Sequence, residues 1–318
     1  MERAKKLVTV IVPAYNEEAS LRALYEAACE VFSEMPQYGF ELLFVNDGSN
    51  DGTQAVIEQL ASENKAVDTS VSVSYVCLSR NFGKECAMLA GFDYAKGDCC
   101  VVIDADLQHP PYVIKDMLTW WEKGYDDVYG LRRTRGKESW FRRKLTMTFY
   151  KIMARSSRYE VLQNVGDFRL LDRKCIDALR QMRESERYTK GLYSWIGFRK
   201  KEILFDQEER RYGKSHWSLW QLTSLAIEGI ISFSTAPLRL ATIMGFITGI
   251  GAFVYFVYIF IKALIYGDPV AGYPTLICVI LFLGAVQLVC MGIIGEYLGR
   301  VFNETKRRPV YLVEKVKN

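Results

Sequence analysis

Short apolar runs alternate with longer amphipathic stretches over the first part of the chain, and each apolar run ends in a polar cluster. Leu7 to Val12 is β-branched and stops at Pro13. Phe40 to Val45 runs into Asn46-Asp47-Gly48-Ser49-Asn50-Asp51-Gly52-Thr53, and Val71 to Leu78 into Arg80-Asn81-Phe82-Gly83-Lys84-Glu85. The run ending at Ile103 breaks into Asp104-Ala105-Asp106-Leu107-Gln108-His109 and a Pro-Pro pair. Such runs, rich in valine and isoleucine, read as buried strands. Asn16 caps the helix after Pro13, with Glu17 and Glu18 complementing its dipole. Further helices are predicted up to Ala95 and from Pro111 to Lys123, followed by a strand ending at Gly130. The alternation predicts an α/β domain, a mostly parallel sheet with helices on both faces. Polar clusters around Pro13, Tyr15 and Glu17, at Asp47, at Arg80-Asn81 and at Asp104, Asp106 and Gln108 then converge on one sheet edge and build a pocket.

The pattern changes beyond Arg132. From there to Arg158 the chain is densely basic, and Phe141, Leu145, Phe149 and Ile152 recur at helical spacing. This predicts an amphipathic helix at about 137–157 lying in a membrane interface. An ordinary helix packing its stripe on a core is the plainer reading of the same pattern. A second basic cluster, Glu209 to Ser215, leads into Trp217 and Trp220, and a second interface helix at about 216–234 is expected. Leu240 to Ile261 and Tyr273 to Gly295 carry no charge, and a bilayer crossing needs about 20 residues. Two transmembrane helices, about 237–265 and 273–298, are therefore expected to form a hairpin through the short connection around Asp268 and Pro269. Arg239 precedes the first span, and Arg300, Lys306, Arg307 and Arg308 follow the second. That bias puts the N-terminal domain and both termini on the cytoplasmic side of the plasma (inner) membrane, with Lys262 snorkelling at the outer interface. Gly245 and Gly249 stand at GxxxG spacing, a close-packing site for another helix, so a homo-oligomer is expected. The division predicted is 1–234 for the cytoplasmic domain, 235–300 for the hairpin and 301–318 for a cytoplasmic tail.

Composition narrows this picture little. The 318 residues are 50% hydrophobic and 25% charged, with a net charge of +4. No global attraction to polyanions follows, and no nucleic-acid recognition motif accompanies the basic runs. The eight cysteines lack CxxC spacing and read as buried free thiols of a reducing compartment. The first apolar run is too short for a signal-peptide core.

Asp104-x-Asp106 with Gln108 two residues on suits a hard divalent cation, Mg²⁺ or Mn²⁺, held by few protein oxygens and completed by phosphates. A strand ending in a polar turn explains the bare Asp-x-Asp equally well. The wider sequence adds to it: VPAYNEE, VNDGSNDGT, RNFGKE and DADLQHPP, in this order and spacing, resemble a family-2 glycosyltransferase with the GT-A nucleotide-sugar-binding fold. The DFRLLDR, KGLYSWIGF and ISFSTAPLR segments extend the resemblance to polyprenyl-phosphate glycosyltransferases. Among these are the dolichyl-phosphate mannose synthases and, more similar, the bacterial undecaprenyl-phosphate (bactoprenol) glucosyltransferases.

The resemblance implies an inverting transfer of a monosaccharide from a nucleotide sugar to polyprenyl phosphate. It implies nucleotide-sugar binding by Pro13, Tyr15, Glu17, Asp47, Asp104 and Ala105, and metal binding by Asp106 and Gln108. Arg132, Arg135 and Arg210 match basic positions that clamp the acceptor phosphate and diphosphate. Where the family has Ser-Lys-aromatic, this chain has Ser215-His216-Trp217, so Lys214 is expected to take over that lysine's part, with His216 as the alternative. Asp167 matches the aspartate proposed as catalytic base. However, a phosphate monoester with a second pKa of about 6 needs little deprotonation, and orienting the substrate is an equal role. His109 is placed to line the site. The expected donor is UDP-glucose, with UDP-GlcNAc, UDP-galactose, GDP-mannose or a modified sugar as alternatives. A non-catalytic membrane-tethered nucleotide-sugar-binding protein is the alternative from another class.

Overall fold

The structure is a computed structural model that describes residues 5–66, 71–133, 165–185, 187–206, 236–266 and 272–317. The two expected interface helices, and Arg135, Arg210, Lys214 and His216 with them, lie outside the described residues. The described chain falls into two compact units. One runs to Asp206 and takes in the last residues from Arg308; the other spans Ala236 to Arg307.

The first unit is built from β1 (Lys6–Ala14), α1 (Leu21–Ser33), β2 (Tyr38–Asn46), α2 (Thr53–Ala66), β3 (Val71–Leu78), α3 (Lys84–Tyr94), β4 (Cys99–Val102) and α4 (Val113–Glu122). There follow β5 (Asp127–Arg132), β6 (Val165–Asp172), α5 (Arg173–Gln181), α6 (Thr189–Trp195), β7 (Lys200–Phe205) and, after the second unit, β8 (Val313–Lys317). Among the described residues the strands form one sheet in the order β7-β5-β6-β4-β1-β2-β3-β8. Strands β1 to β4, β5 and β7 run the same way, whereas β6 and β8 run against them.

The apolar runs become strands because both faces of the sheet are covered. Val8, Val10 and Val12 of β1 join Phe40, Leu42 and Phe44 of β2 in a core with Leu21, Leu24, Ala28 and Phe32 of α1. Each fully buried Val, Leu or Phe among them contributes roughly 1.5–3 kcal/mol. On the other face α3 lies so close to β1 that a Cβ on Gly91 would stand 2.3 Å from Ile11 Cγ2. The cysteines described are all free thiols.

The sheet is mostly parallel, as expected: Val165–Asp172 inserts antiparallel between β4 and β5. The C-terminal residues add a strand, β8, which pairs antiparallel with the β3 edge. One local expectation is corrected. Asn16 does not cap α1, which starts after Ser20. Asn16 adopts a left-handed φ of 56°, and its Oδ1 accepts the Asn50 N–H at 2.9 Å.

The antiparallel insertion decides where the chemistry lies. Val102 of β4 pairs with Arg169 of β6, and continuing that register by two residues puts Asp104 across from Asp167. A parallel β6 would have sent Asp167 to the opposite end of the sheet.

In the second unit α7 (Ala236–Tyr266) and α8 (Tyr273–Thr305) pack on one another. Among the described residues one segment, Phe282–Thr305, with mean hydropathy 1.5, is long and apolar enough to cross a membrane, and Ala241–Tyr255 is a shorter apolar helix. Large apolar side chains such as Phe246, Phe253, Leu288 and Met291 are exposed. Among the described residues a Cβ on Gly245 or Gly249 would meet nothing within 4 Å.

Candidate active site

A cavity of about 310 Å³ opens at the C-terminal edge of the sheet. Pro13, Ala14, Tyr15 and Glu17 line it from the end of β1, and Asp47 from the end of β2. Asn81, Gly83, Lys84 and Ala87 come from the loop after β3 and the start of α3, and Asp104, Ala105 and Asp106 from the end of β4. The structure thus brings together the residues that the resemblance assigned to the nucleotide sugar. Asn81 joins them as the polar clusters led one to expect, and Lys84 and Ala87 join them without having been singled out.

Asp47 is the keystone of one wall. Its Oδ1 accepts the Phe82 N–H at 2.7 Å and its Oδ2 the Gly83 N–H at 2.8 Å. Burial pushes its carboxyl up, against the pull of those two bonds and of Arg80. Gly48 beside it has φ +63°, and a Cβ there would stand 2.3 Å from the Arg80 carbonyl carbon, so only glycine lets the two loops meet. The β1 loop is tied to the same region: Asn16 N–H donates to Ser49 Oγ at 3.0 Å, and Glu18 Oε2 accepts the Gly52 N–H at 2.9 Å.

On the other side Leu107 takes a left-handed φ of 59°, a strained choice for a leucine and typical of functional turns. It turns the chain back so that the Gln108 N–H donates to Asp106 Oδ1 at 3.1 Å. Asp106 is 7% exposed and faces the cavity. Among the described residues no three His, Cys, Asp or Glu side chains cluster as a metal cage. The Asp106 carboxylate in the cavity wall fits instead an ion that keeps most of its positions for phosphate and water, as Mg²⁺ does; Gln108 is not among the residues that line the cavity.

Asp104 and Asp167 are bridged by a lysine. Lys84 Nζ is 2.6 Å from Asp104 Oδ1 and 3.0 Å from Asp167 Oδ2. Burial opposes the lysine's charge, but the two carboxylates outweigh it and hold Lys84 above the ordinary lysine range. Burial alone would raise the Asp167 carboxyl; Lys84, with Lys190 adding to it, keeps it below the usual carboxylate range. Asp167 is therefore an ion-paired carboxylate, and a weak proton acceptor. Its Oδ1 is buried and makes no hydrogen bond among the described residues.

His109 lies beneath, stacked on Phe168 at 4.9 Å between centroids, with Nδ1 3.7 Å from Asp104 Oδ2. Burial pushes its pKa down, so the ring is neutral at pH 7. Strand β6 is anchored by Arg169, 1% exposed, which donates to both Asp127 oxygens at 3.2 and 3.0 Å and stacks 3.5 Å over the Tyr193 ring. Arg132 stands exposed at the end of β5.

Two family descriptions match the chain: Glycosyl transferase family 2 over residues 9–180, and GtrB C-terminal hairpin over residues 236–301. An uncharacterized glycosyltransferase of Synechocystis sp. is 42% identical, with 96% of this chain and 94% of the relative covered. The bactoprenol glucosyl transferase of Shigella phage SfV is 39% identical, with 98% and 99% covered. Among solved structures, glucosyl-3-phosphoglycerate synthase from Mycobacterium tuberculosis is 17% identical at a TM-score of 0.46, with 72% of this chain and 78% of that one covered. On the strength of the two family matches and the full-length relatives, the chain belongs to glycosyltransferase family 2, with an α/β catalytic domain of GT-A type followed by a GtrB-type hairpin.

Proposed function

We propose that this enzyme moves a monosaccharide from a nucleotide sugar to a polyprenyl phosphate at the membrane surface. The observation that carries the reading is full-length similarity, across both the catalytic domain and the hairpin, to bactoprenol glucosyl transferases. Glucose from UDP-glucose is the donor we favour, with UDP-GlcNAc, UDP-galactose, GDP-mannose or a modified sugar as the alternatives the same cavity would take.

In the reaction, an acceptor phosphate oxygen bonds to the anomeric carbon as the bond from that carbon to the diphosphate breaks, inverting the centre and releasing nucleoside diphosphate. Asp47, Tyr15, Pro13 and Glu17 are proposed to seat the nucleoside, and Asp104 and Ala105 its ribose side. Asp106 and Gln108 would hold Mg²⁺ or Mn²⁺, which when bound neutralises the leaving diphosphate. Asp167, ion-paired and weakly basic, orients the sugar or the acceptor rather than removing a proton. Arg132 offers a bidentate guanidinium to phosphate, and Arg135, Arg210 and Lys214 are proposed to share that task.

The long apolar α7 and α8 support a two-span hairpin in the inner membrane, with both termini and the catalytic domain cytoplasmic. The open surface at Gly245 and Gly249 favours packing against a second copy. The test of function is incubation of the purified protein with undecaprenyl phosphate, Mg²⁺ and a panel of labelled nucleotide sugars. One lipid-linked product is expected, and it identifies the sugar. No product across the panel sinks the transferase reading, and Asp106→Ala retaining activity refutes the metal site.

A further inference from the structure

Lys84 opens α3, where a positive charge opposes the helix dipole. Helix stability therefore does not account for it. Its ammonium sits between two carboxylates that strand pairing forces together, 2.6 Å from Asp104 and 3.0 Å from Asp167. Like charges across a strand pair repel, and the lysine stands where they would do so. It also lines the cavity beside Asp106. A dication near Asp106 and the Lys84 ammonium repel one another, and an entering diphosphate attracts both.

We propose that Lys84 is a positioning residue that fills the cation place between Asp104 and Asp167 until a nucleoside diphosphate enters, then shifts its ammonium from Asp167 to a phosphate oxygen. The shift frees the Asp167 carboxylate for the sugar or the acceptor and disfavours the metal ion arriving alone. The inference rests on the donor-site reading above.

Two binding measurements on the full chain in detergent separate this from a structural role: Mn²⁺ alone by electron paramagnetic resonance, and UDP with Mn²⁺ by calorimetry. For Lys84→Gln the two affinities move in opposite directions. Mn²⁺ alone binds about threefold tighter, because a competing charge is gone, and UDP with Mn²⁺ binds about tenfold weaker, because a charged hydrogen bond is lost. Lys84→Arg, which keeps the charge, restores most of the UDP affinity. Affinities that fall together, or Mn²⁺ binding that does not change, overturn the proposal. In the wild-type chain, ¹³C-methylated Lys84 shifts its NMR signal when UDP and Mg²⁺ are added; a signal unmoved while UDP binds overturns it without any variant. If wild type binds no UDP at all, the donor-site reading is what fails, and the Lys84 assignment goes with it.

Discussion

Arg169 and Asp127 form a fully enclosed ion pair, with N–O distances down to 3.0 Å and side chains 1% and 0% exposed. It joins β5 to β6 directly behind Asp167. Removing one member of such a pair strands the other, a loss of roughly 3–5 kcal/mol. Arg169→Met is therefore expected to lower the unfolding free energy by about that much, measured by denaturant titration at pH 7. The sign of the pH dependence follows from Asp127, whose carboxyl burial already pushes up. Without Arg169 it rises further. A carboxyl raised in the folded state contributes stability below its unfolded pKa and loses it as pH rises through the folded value. The deficit of Arg169→Met is thus smallest in mild acid and widens toward neutrality. A deficit independent of pH would mean that Asp127 had found another partner.

Asp167→Asn tests the choice between proton acceptor and orienting group. In the ligand-free chain Lys84 holds the Asp167 carboxyl low, so it meets the substrates already ionised. If it orients, the variant loses activity by the same factor at every pH from about 6 to about 9, less than the ~10²–10⁴ that a general base supplies. Rising activity of the variant at high pH, relative to wild type, would instead identify a base.

Gly48→Ala targets the contact between the Asp47 loop and the Arg80 loop. The added carbon would overlap the Arg80 backbone at 2.3 Å and force a left-handed alanine. The loop carrying Phe82 and Gly83 must then shift from Asp47. KM for the nucleotide sugar should rise about tenfold or more, the ~1.4 kcal/mol or so of a lost hydrogen bond to a charged group, with kcat changed less. An unchanged KM would show that the Asp47 clamp does not shape the donor site.

Much of this site could be read from residue order alone. The polar clusters after β1, β2, β3 and β4 follow apolar runs whose period and length identify buried parallel strands, and parallel strands deliver their C-terminal ends to one edge. Asp104 and Asp47 were visible for that reason. Lys84 was not, since its significance depends on Asp167 lying opposite Asp104. That in turn depends on Val165–Asp172 pairing antiparallel with β4, a direction that the alternation of Asp167, Phe168, Arg169 and Leu170 does not reveal. The polar residues stay in the strand because Lys84, Asp127 and Trp121 meet them. A lysine at the first position of a helix was the local signal available. The short C-terminal strand escaped for a related reason: Val313–Lys317 is mostly charged and becomes a strand only because β3 offers a free edge.

That strand gives the last prediction. The Leu312 carbonyl accepts the Ser79 N–H at 2.9 Å, just where β3 ends and the Arg80-Asn81 loop begins. Tyr311 donates to Asp93 at 2.5 Å, and Asp93 also receives Arg183 at 2.6 and 2.7 Å, which ties the strand's approach to α3. An uncovered β3 edge would leave its backbone groups to water and to other chains. Deleting residues 309–318 is expected to lower stability by roughly 2–4 kcal/mol, at about 1 kcal/mol for each hydrogen bond lost. It also loosens the loop that presents Asn81 and Gly83 to the cavity. Donor KM should therefore rise while the truncated chain stays in the membrane fraction. Tyr311→Phe, which keeps the strand and removes one bond, should lose about 1 kcal/mol or somewhat more with donor KM near wild type. If the truncation and the point variant weaken donor binding equally, the effect runs through Asp93 and α3 rather than through the covered edge of β3.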